Sequence, residues 1–122
     1  MHSYRNLIVW QRAIQLVVAI YELTEQFPRE EIYGLIAQMR RSAVTIASNI
    51  AEGRHRGTKQ DFLQFLRIAY SSGAELETQL EIAQRLPKTK RLDYARTTAL
   101  LTEVMKMLHA MIKTLNPRAT KS

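Results

Sequence analysis

The apolar residues of this chain recur every three or four positions, and this spacing restricts its fold more than any other feature of the sequence. The clearest case lies in residues 38–53, where Met39, Ala43, Ile46 and Ile50 follow one another at helical intervals. Such intervals place side chains on one face of an α-helix, whereas a strand would alternate apolar and polar residues. Because no segment shows that alternation, the sequence predicts an all-α protein.

Glycine and proline residues divide the chain into four such segments. We expect helices at about residues 7–26, 30–52, 59–86 and 93–115. Gly53 is predicted to be the left-handed C-terminal cap of the second helix, and Thr58 to begin a capping box with Asp61 at the start of the third. Short connections make neighbouring helices antiparallel, which predicts an up-down-up-down four-helix bundle over residues 1–117. Residues 118–122 are predicted to be a flexible tail.

The apolar faces of the first and fourth helices are wider than one bundle core requires. We expect the core seam of the first helix to contain residues at heptad spacing, namely Leu7, Trp10, Ile14, Val17 and Tyr21. Further large apolar residues flank the seams of the two helices: Ile8, Val9, Val18, Ile20, Leu100, Met105, Met107 and Ile112. A large exposed apolar patch marks an interaction surface, so we expect a homo-oligomer. Alternatively, rotation of the helices buries most of this surface within one chain.

Missing residue types and patterns exclude several kinds of site. The chain contains no cysteine, which excludes disulfides, thiolate metal sites and thiol nucleophiles. Its apolar runs are all shorter than the roughly 18 residues of a membrane span, and its N-terminus lacks the pattern of a signal peptide. We therefore expect a cytoplasmic protein without a membrane partner.

Neither a metal site nor an active site is predicted. Glu52 and His55 have the Glu-x-x-His spacing of di-iron bundles, but no second such pair exists, and Gly53 is expected to break the helix between them. Residues 53–59 contain glycines and a lysine without matching the phosphate-binding loop pattern. The sequence thus predicts no metal, no cofactor and no enzymatic activity.

The charge of the chain indicates an anionic partner. The formal net charge is +7 and the isoelectric point is about 10.1. In the antiparallel bundle, the N-terminus, the connection between the second and third helices and the C-terminus meet at one end, where basic residues outnumber acidic ones. We predict that this end binds RNA or DNA through Arg5, Arg12, Arg54, His55, Arg56, Lys59 and Lys113. The alternative is a protein-interaction scaffold whose basic end docks an acidic protein.

The residues beside these arginines are predicted to have structural roles. Asn49 and Glu52 lie three positions apart and share a helix face. They are expected to hold the arginine-containing loop in shape or to bind a neighbouring subunit, and Gly53 shares the structural role. The alternative for Asn49 and Glu52 is the ordinary polarity of the last turn of a helix. No aromatic residue occurs within residues 53–59, so phosphate contacts should dominate there and base identity should matter little.

Short motifs that carry a family resemblance are spread over about residues 4–115: residues 6–13, 27–28 with 31–35, 38–43, 48–53, 62–66 with 68–69, and 75–80. The most specific are the runs Asn49-Ile50-Ala51-Glu52-Gly53 and Glu75-Leu76-Glu77-Thr78-Gln79-Leu80. Together the motifs resemble the four-helix-bundle proteins first met as reading frames inside intervening sequences of bacterial 23S ribosomal RNA genes.

This resemblance implies a helical bundle that assembles into a ring-like homopentamer. It also implies relatedness to accessory proteins of diversity-generating retroelements, which are basic pentameric barrels that bind nucleic acid and a reverse transcriptase. A nucleic-acid-handling protein is therefore a further expected partner. The resemblance implies no catalytic residues.

Overall fold

The computed structural model describes residues 3–116, except for the side chains at positions 32 and 33. All regular secondary structure in this range is helical. Its elements are a 3₁₀ turn (Tyr4–Asn6), helix α1 (Ile8–Thr24), a 3₁₀ turn (Arg29–Glu31), a π-helical turn (Ile32–Ile36), helix α2 (Ala37–Arg56), helix α3 (Lys59–Arg85) and helix α4 (Ala95–Leu115). The predicted tail at residues 118–122 lies outside the described residues.

The ends of the helices meet in the order that an up-down-up-down bundle requires. At one end, a single pocket is lined by residues beside the start of α1, the end of α2, the start of α3 and the end of α4, namely Leu7, Arg54, Phe62 and Leu115. At the other end, the Nε of Arg40 near the start of α2 donates a hydrogen bond to Thr24 at the end of α1. Each helix packs on the next, and α4 packs on α1. The prediction of an all-helical four-helix bundle is confirmed.

The core contains the predicted apolar face of α2 and an apolar face of α3, but a different face of α1 from the one expected. Met39, Ile46 and Ile50 of α2 are fully buried, as are Leu66 and Leu76 of α3. The buried residues of α1 are not those of the predicted seam; they are Val9, Ala13, Leu16, Ala19, Ile20, Leu23 and Thr24. Of the predicted seam, Leu7, Trp10 and Val17 are partly buried against the core, whereas Ile14 and Tyr21 are exposed. The prediction was wrong for these two because both sets of residues recur at helical spacing, and α1 is apolar around most of its circumference.

The apolar surface left exposed by this packing also differs from the expectation. On α4, Leu100 and Met105 are buried, and Met107 and Ile112 are half-buried against the core. The large exposed apolar side chains in residues 3–116 lie instead on the first three helices: Ile8, Ile14, Val18, Tyr21, Val44, Ile68 and Ile82. Of the apolar excess predicted for the first helix, Ile8 and Val18 are therefore exposed, whereas Val9 and Ile20 are buried in the core. The excess predicted for the fourth helix is packed within the chain.

Helix α2 extends four residues beyond its predicted end. Gly53 was predicted as the left-handed cap, and this was wrong: it is a buried helical residue. The cap is Gly57, whose φ of 90° favours glycine. Gly53 is needed for a different reason, because a Cβ at this position would lie 2.6 Å from the Cβ of Phe65 on α3. The next helix begins as predicted, with the Asp61 backbone N–H donating to the Thr58 hydroxyl (3.1 Å).

Helix α2 also begins later than expected. The predicted start at residue 30 is occupied by the two short turns, and regular α-helix begins at Ala37. Gly34 lies within the π-helical turn and has non-helical backbone angles (φ −103°, ψ −108°), which kink the chain there. Within residues 3–116, none of the helices is long and apolar enough to cross a membrane.

Candidate nucleic-acid interface

The predicted arginine loop is the last turn of a helix. Because α2 continues to residue 56, Arg54, His55 and Arg56 have helical backbone and point in successive directions around its end. The guanidinium carbon of Arg54 lies 5.8 Å from the centre of the Phe62 ring, and that of Arg56 lies 5.2 Å from the Phe65 ring. The first turns of α3 thus place aromatic rings beneath two of the predicted binding residues. The sequence analysis missed these rings because it considered only residues 53–59, which contain no aromatic residue.

The three residues predicted to have structural roles act separately. Asn49 donates from Nδ2 to the Thr45 carbonyl (2.8 Å), which is a bond along its own helix. Glu52 forms an ion pair with Arg56 one turn later, with 3.7 Å between Oε1 and the nearer guanidinium nitrogen. Both side chains are exposed, so this pair stabilises the helix by only about 0.3–0.5 kcal/mol. Gly53 acts through the close contact of α2 with α3.

Arg5 lies on the short turn before α1 and is also backed by aromatic rings. Its guanidinium carbon is 5.5 Å from the centre of the Tyr4 ring and 5.8 Å from that of Trp10. The two rings pack edge to face at 5.1 Å. Gln11 donates from Nε2 to the Arg5 carbonyl (2.9 Å), which ties this turn to α1. Cation–π contacts of this kind restrain a guanidinium while leaving its outer N–H groups free for an anion.

The remaining predicted binding residues differ in their availability. Arg12 donates from Nε to Glu103 of α4 (2.5 Å), so its charge is already matched. Lys59 is exposed on the first turn of α3, and Lys113 is exposed on the last turn of α4. Neither lysine has a carboxylate partner among the described residues. Lys59 and Lys113 are therefore open to an anionic ligand, and Arg12 is the least suited member of the predicted set.

A groove of about 780 Å³ runs between the start of α3 and the end of α4. It is lined by Lys59, Gln60, Leu63, Gln64, Arg67, Thr114 and Leu115. Sequence reasoning missed Arg67, although one signal was present: Gln60, Gln64 and Arg67 recur at the i, i+4, i+7 spacing of a single helix face. We name this surface the α3–α4 groove.

A second, smaller pocket of about 330 Å³ lies at the same end of the bundle. Its lining is mostly apolar and includes Leu7, Phe62, Met111 and Leu115, with Arg54 beside them. The Nε atom of Arg54 is buried and has no hydrogen-bond partner within residues 3–116. An ionised donor without a partner favours an incoming acceptor such as a phosphate or carboxylate oxygen.

At the opposite end of the bundle, two cations are matched by carboxylates. Lys88 forms an ion pair with Glu30, and the Arg85 Nε lies 2.8 Å from Glu81. The hydrogen bond from Lys88 to Glu30, together with the negative charge of Glu30, raises the pKa of Lys88 above its ordinary value. Exposed cations without an ion-pair partner among the described residues also occur at this end: Arg29, Lys90 and Arg91 lie in or beside the connecting segments, and Arg96 lies on the first turn of α4.

The longer α2 places the Glu-x-x-His pair on a single helix, but this pair does not form a metal site with other described residues. Glu52 and His55 lie on one continuous helix, since Gly53 does not interrupt it. Within residues 3–116, however, no three acidic or histidine side chains come together as a metal-binding group would require.

Comparisons with known proteins agree with this architecture. Among proteins with curated descriptions, none matches the chain significantly. The fold is similar to that of a protein of unknown function from the S23 ribosomal protein family of Bacteroides thetaiotaomicron VPI-5482, with 28% sequence identity and a TM-score of 0.78. That similarity covers 87% of this chain and 99% of the other. The sequence model of the 23S rRNA-intervening sequence proteins matches residues 5–110, and the chain therefore belongs to this family.

Proposed function

We propose that this protein is a non-enzymatic, homo-oligomeric helical bundle of the bacterial cytoplasm that binds RNA, or a nucleoprotein complex, through one end. We name this the basic end: the start of α1, the last turn of α2, the α2–α3 connection, the first three turns of α3 and the end of α4. The observation that carries the proposal is a group of cations there without carboxylate partners among the described residues, namely Arg5, Arg54, Lys59, Arg67 and Lys113. A chain with a net charge of +7 attracts phosphates over long range, and unpaired cations are available to contact them.

The way the arginines are held supports phosphate recognition. Arg5, Arg54 and Arg56 each lie over an aromatic ring, which lowers the entropy lost when the guanidinium binds. A guanidinium fork matches two oxygens of one phosphate. Because phosphates carry no sequence information, binding at these arginines should depend little on base identity.

The salt dependence of binding tests this proposal. The affinity for single-stranded RNA should fall steeply with salt, with a log–log slope of about −0.7 per phosphate neutralised. Replacing Arg54, Arg56 and Lys59 with alanine should make the slope shallower. All three are at least partly exposed, so the bundle should still fold.

The matched control replaces Lys88, Lys90 and Arg91 with alanine, which removes the same charge from the opposite end. This variant should bind RNA nearly as well as the wild type. Equal weakening by both triple variants would refute a polarised binding surface.

Self-association, with a pentamer as the stoichiometry that the family resemblance implies, is the second part of the proposal. It is supported by the exposed stripe of Ile14, Val18 and Tyr21 on α1, whose i, i+4, i+7 spacing forms one face. A ring would bring several copies of the basic end to one rim and strengthen its field.

Light scattering at micromolar concentration measures the assembly. Val18→Glu should dissociate it, whereas Ile82→Glu, which adds the same charge at an exposed apolar position of α3, should not. A monodisperse wild-type species of 14.1 kDa would refute self-association. A dimer would be consistent with the apolar interface on α1 but would refute the pentameric stoichiometry.

The apolar pocket at the basic end favours one alternative function. Leu7, Phe62 and Met111 could hold an apolar side chain of an acidic protein, while Arg54 pairs with its carboxylate. A protein that itself handles nucleic acid is one partner of this kind. This scaffold function takes precedence if the wild-type protein binds no RNA at low salt.

A further inference from the structure

The α3–α4 groove combines charge and amide groups on one wall. Lys59 and Arg67 lie eight residues apart on α3, which corresponds to about 12 Å along the helix axis. Between them, Gln60 and Gln64 offer both hydrogen-bond donors and acceptors. Leu63 and Leu115 supply the apolar part of the lining. A ligand that alternates phosphates with polar ring edges can contact both the cations and the amide groups of this wall, whereas a simple anion can contact only the cations.

Few carboxylates compete for these cations. From residue 59 to residue 74, α3 contains a single acidic residue, Asp61, and α4 contains none after Glu103, which is bound to Arg12. Arg67 and Lys59 have no ion-pair partner among the described residues. Both cations are exposed, so a ligand can reach them.

Two aromatic rings continue the same face of the two helices. Tyr70 lies one turn after Arg67 on α3, and its ring centre is 6.1 Å from that of His109 on α4, with 40° between the ring planes. Tyr70 is half-buried and His109 is exposed. One turn further, α3 and α4 come into close contact, because a Cβ on Gly73 would lie 2.2 Å from the Met105 sulfur. This contact closes the face beyond the rings.

We propose that the α3–α4 groove holds one single strand of nucleic acid. Its phosphates contact Lys59 and Arg67, its base edges bond to Gln60 and Gln64, and one unpaired base packs against the rings of Tyr70 and His109. A duplex is excluded from this arrangement because its bases are stacked on one another and cannot reach rings set between two helices. Positively charged grooves that end on aromatic rings bind single strands in this way.

This inference rests on the proposed function and goes further in naming a site and a class of ligand. Binding at the aromatic-backed arginines requires phosphates alone, whereas the α3–α4 groove requires bases as well. Binding at the two sites can therefore be distinguished by comparing strands with and without bases.

The test uses fluorescence anisotropy with the full chain and a labelled oligouridine of about twelve nucleotides, within the range of known single-strand sites. An abasic strand of the same length and an RNA duplex are the companion probes. Arg67→Glu should weaken oligouridine binding by about tenfold or more, since it replaces a phosphate contact with a repulsion. Arg91→Glu makes the same charge change on an exposed residue at the opposite end and should weaken binding by less than about threefold.

The contribution of the rings is measured with Tyr70→Leu, which keeps an apolar side chain at this half-buried position, and with His109→Ala at the exposed position. Each should weaken oligouridine binding by about fivefold or more, because losing one stacked base has an effect of that size. Binding of the abasic strand should stay within about twofold of wild type. Circular dichroism of each variant verifies that the bundle is intact.

Four outcomes would overturn the inference. If wild type binds oligouridine but Arg67→Glu behaves like Arg91→Glu, the strand lies elsewhere and only the proposed function survives. If Tyr70→Leu and His109→Ala weaken the abasic strand as much as oligouridine, the rings do not contact a base. If Arg67→Glu lowers the mass of the assembly without changing affinity, another copy of the chain covers the groove. If wild type binds no strand at low salt, the inference and the proposed RNA-binding function fail together.

Discussion

Replacing Gly53 with alanine tests why α2 carries a glycine four residues before its end. The added Cβ would lie 2.6 Å from the Phe65 Cβ and 3.2 Å from Cδ1 of Phe62. A Cβ cannot rotate away, so the backbones of α2 and α3 must move apart by about 0.8 Å to restore an ordinary contact. Overpacking of this kind costs about 1–3 kcal/mol, whereas alanine in a helix interior gains about 1 kcal/mol over glycine.

We therefore expect Gly53→Ala to lower the free energy of unfolding by about 1 kcal/mol, the middle of a net range of about 0–2 kcal/mol. For a chain of this length, the melting temperature should fall by about 3–6 °C per kcal/mol. Urea unfolding followed by far-ultraviolet circular dichroism measures the difference. Wild type and variant are compared at one protein concentration, because self-association would add to apparent stability.

Gly73→Ala is the matched control. Gly73 is also a buried helical glycine, but the atoms nearest its added Cβ are the sulfur and terminal methyl of Met105, at 2.2 and 3.2 Å. A methionine side chain can adopt another rotamer, so this variant should lose less than about 1 kcal/mol. The reasoning is refuted if Gly53→Ala is more stable than wild type, or if Gly73→Ala is the more damaging of the two.

Three further predictions concern stability. Tyr94→Phe removes the hydrogen bond to the Thr89 carbonyl (2.8 Å) and should cost about 1 kcal/mol at about pH 8. Burial raises the pKa of Tyr94 above its ordinary 10.0, so the hydroxyl's contribution is present below about pH 10 and is lost as the pH rises through the higher folded-state value. In urea unfolding the gap between wild type and Tyr94→Phe should thus narrow towards about pH 11, and a widening gap would contradict this account. A double-mutant cycle of Arg12→Ala and Glu103→Ala should give a coupling free energy between the two side chains of no more than about 1 kcal/mol, since both are partly exposed. A coupling of several kcal/mol would show that the ion pair is better shielded from solvent than its exposure indicates. Gln79→Met should stabilise the bundle by about 1 kcal/mol in urea unfolding, because the buried side-chain carbonyl oxygen of Gln79 has no hydrogen-bond partner among the described residues. A loss of stability of that size would mean that this oxygen is hydrogen-bonded to a group outside the described residues.

Local sequence signals were sufficient for the number of helices and for the cores of α2 and α3. Met39 and Ile46 belong to a single apolar face with polar residues opposite, so one orientation buries far more apolar area than any other. The start of α3 was equally clear, because Thr58 and Asp61 interact within a single turn. Interactions between residues a few positions apart depend on the local sequence alone, so they can be predicted without knowing which helix packs against them.

The end of α2 shows where such signals stop. Gly53 and Gly57 both follow a helical run, and each suits a left-handed cap by composition alone. What separates them is Phe65, which lies on the next helix and leaves no space for a Cβ at position 53. The choice between the two glycines, and with it the helical placement of Arg54 and Arg56, is decided by contact between helices.

The face of α1 that enters the core and the cations that stay available were likewise decided by tertiary structure. Ile14 and Leu16 both belong to apolar rows at helical spacing, and only the positions of α2 and α4 determine which row is covered. Arg12 is matched because Glu103, far along the chain, comes beside it, whereas Arg67 meets no acid. The sequence by itself determined the helices, the net charge and the family, since these depend on local spacing and composition. The buried face of α1 and the pairing of the cations depend on side chains brought together from distant positions, so the tertiary structure alone decided them.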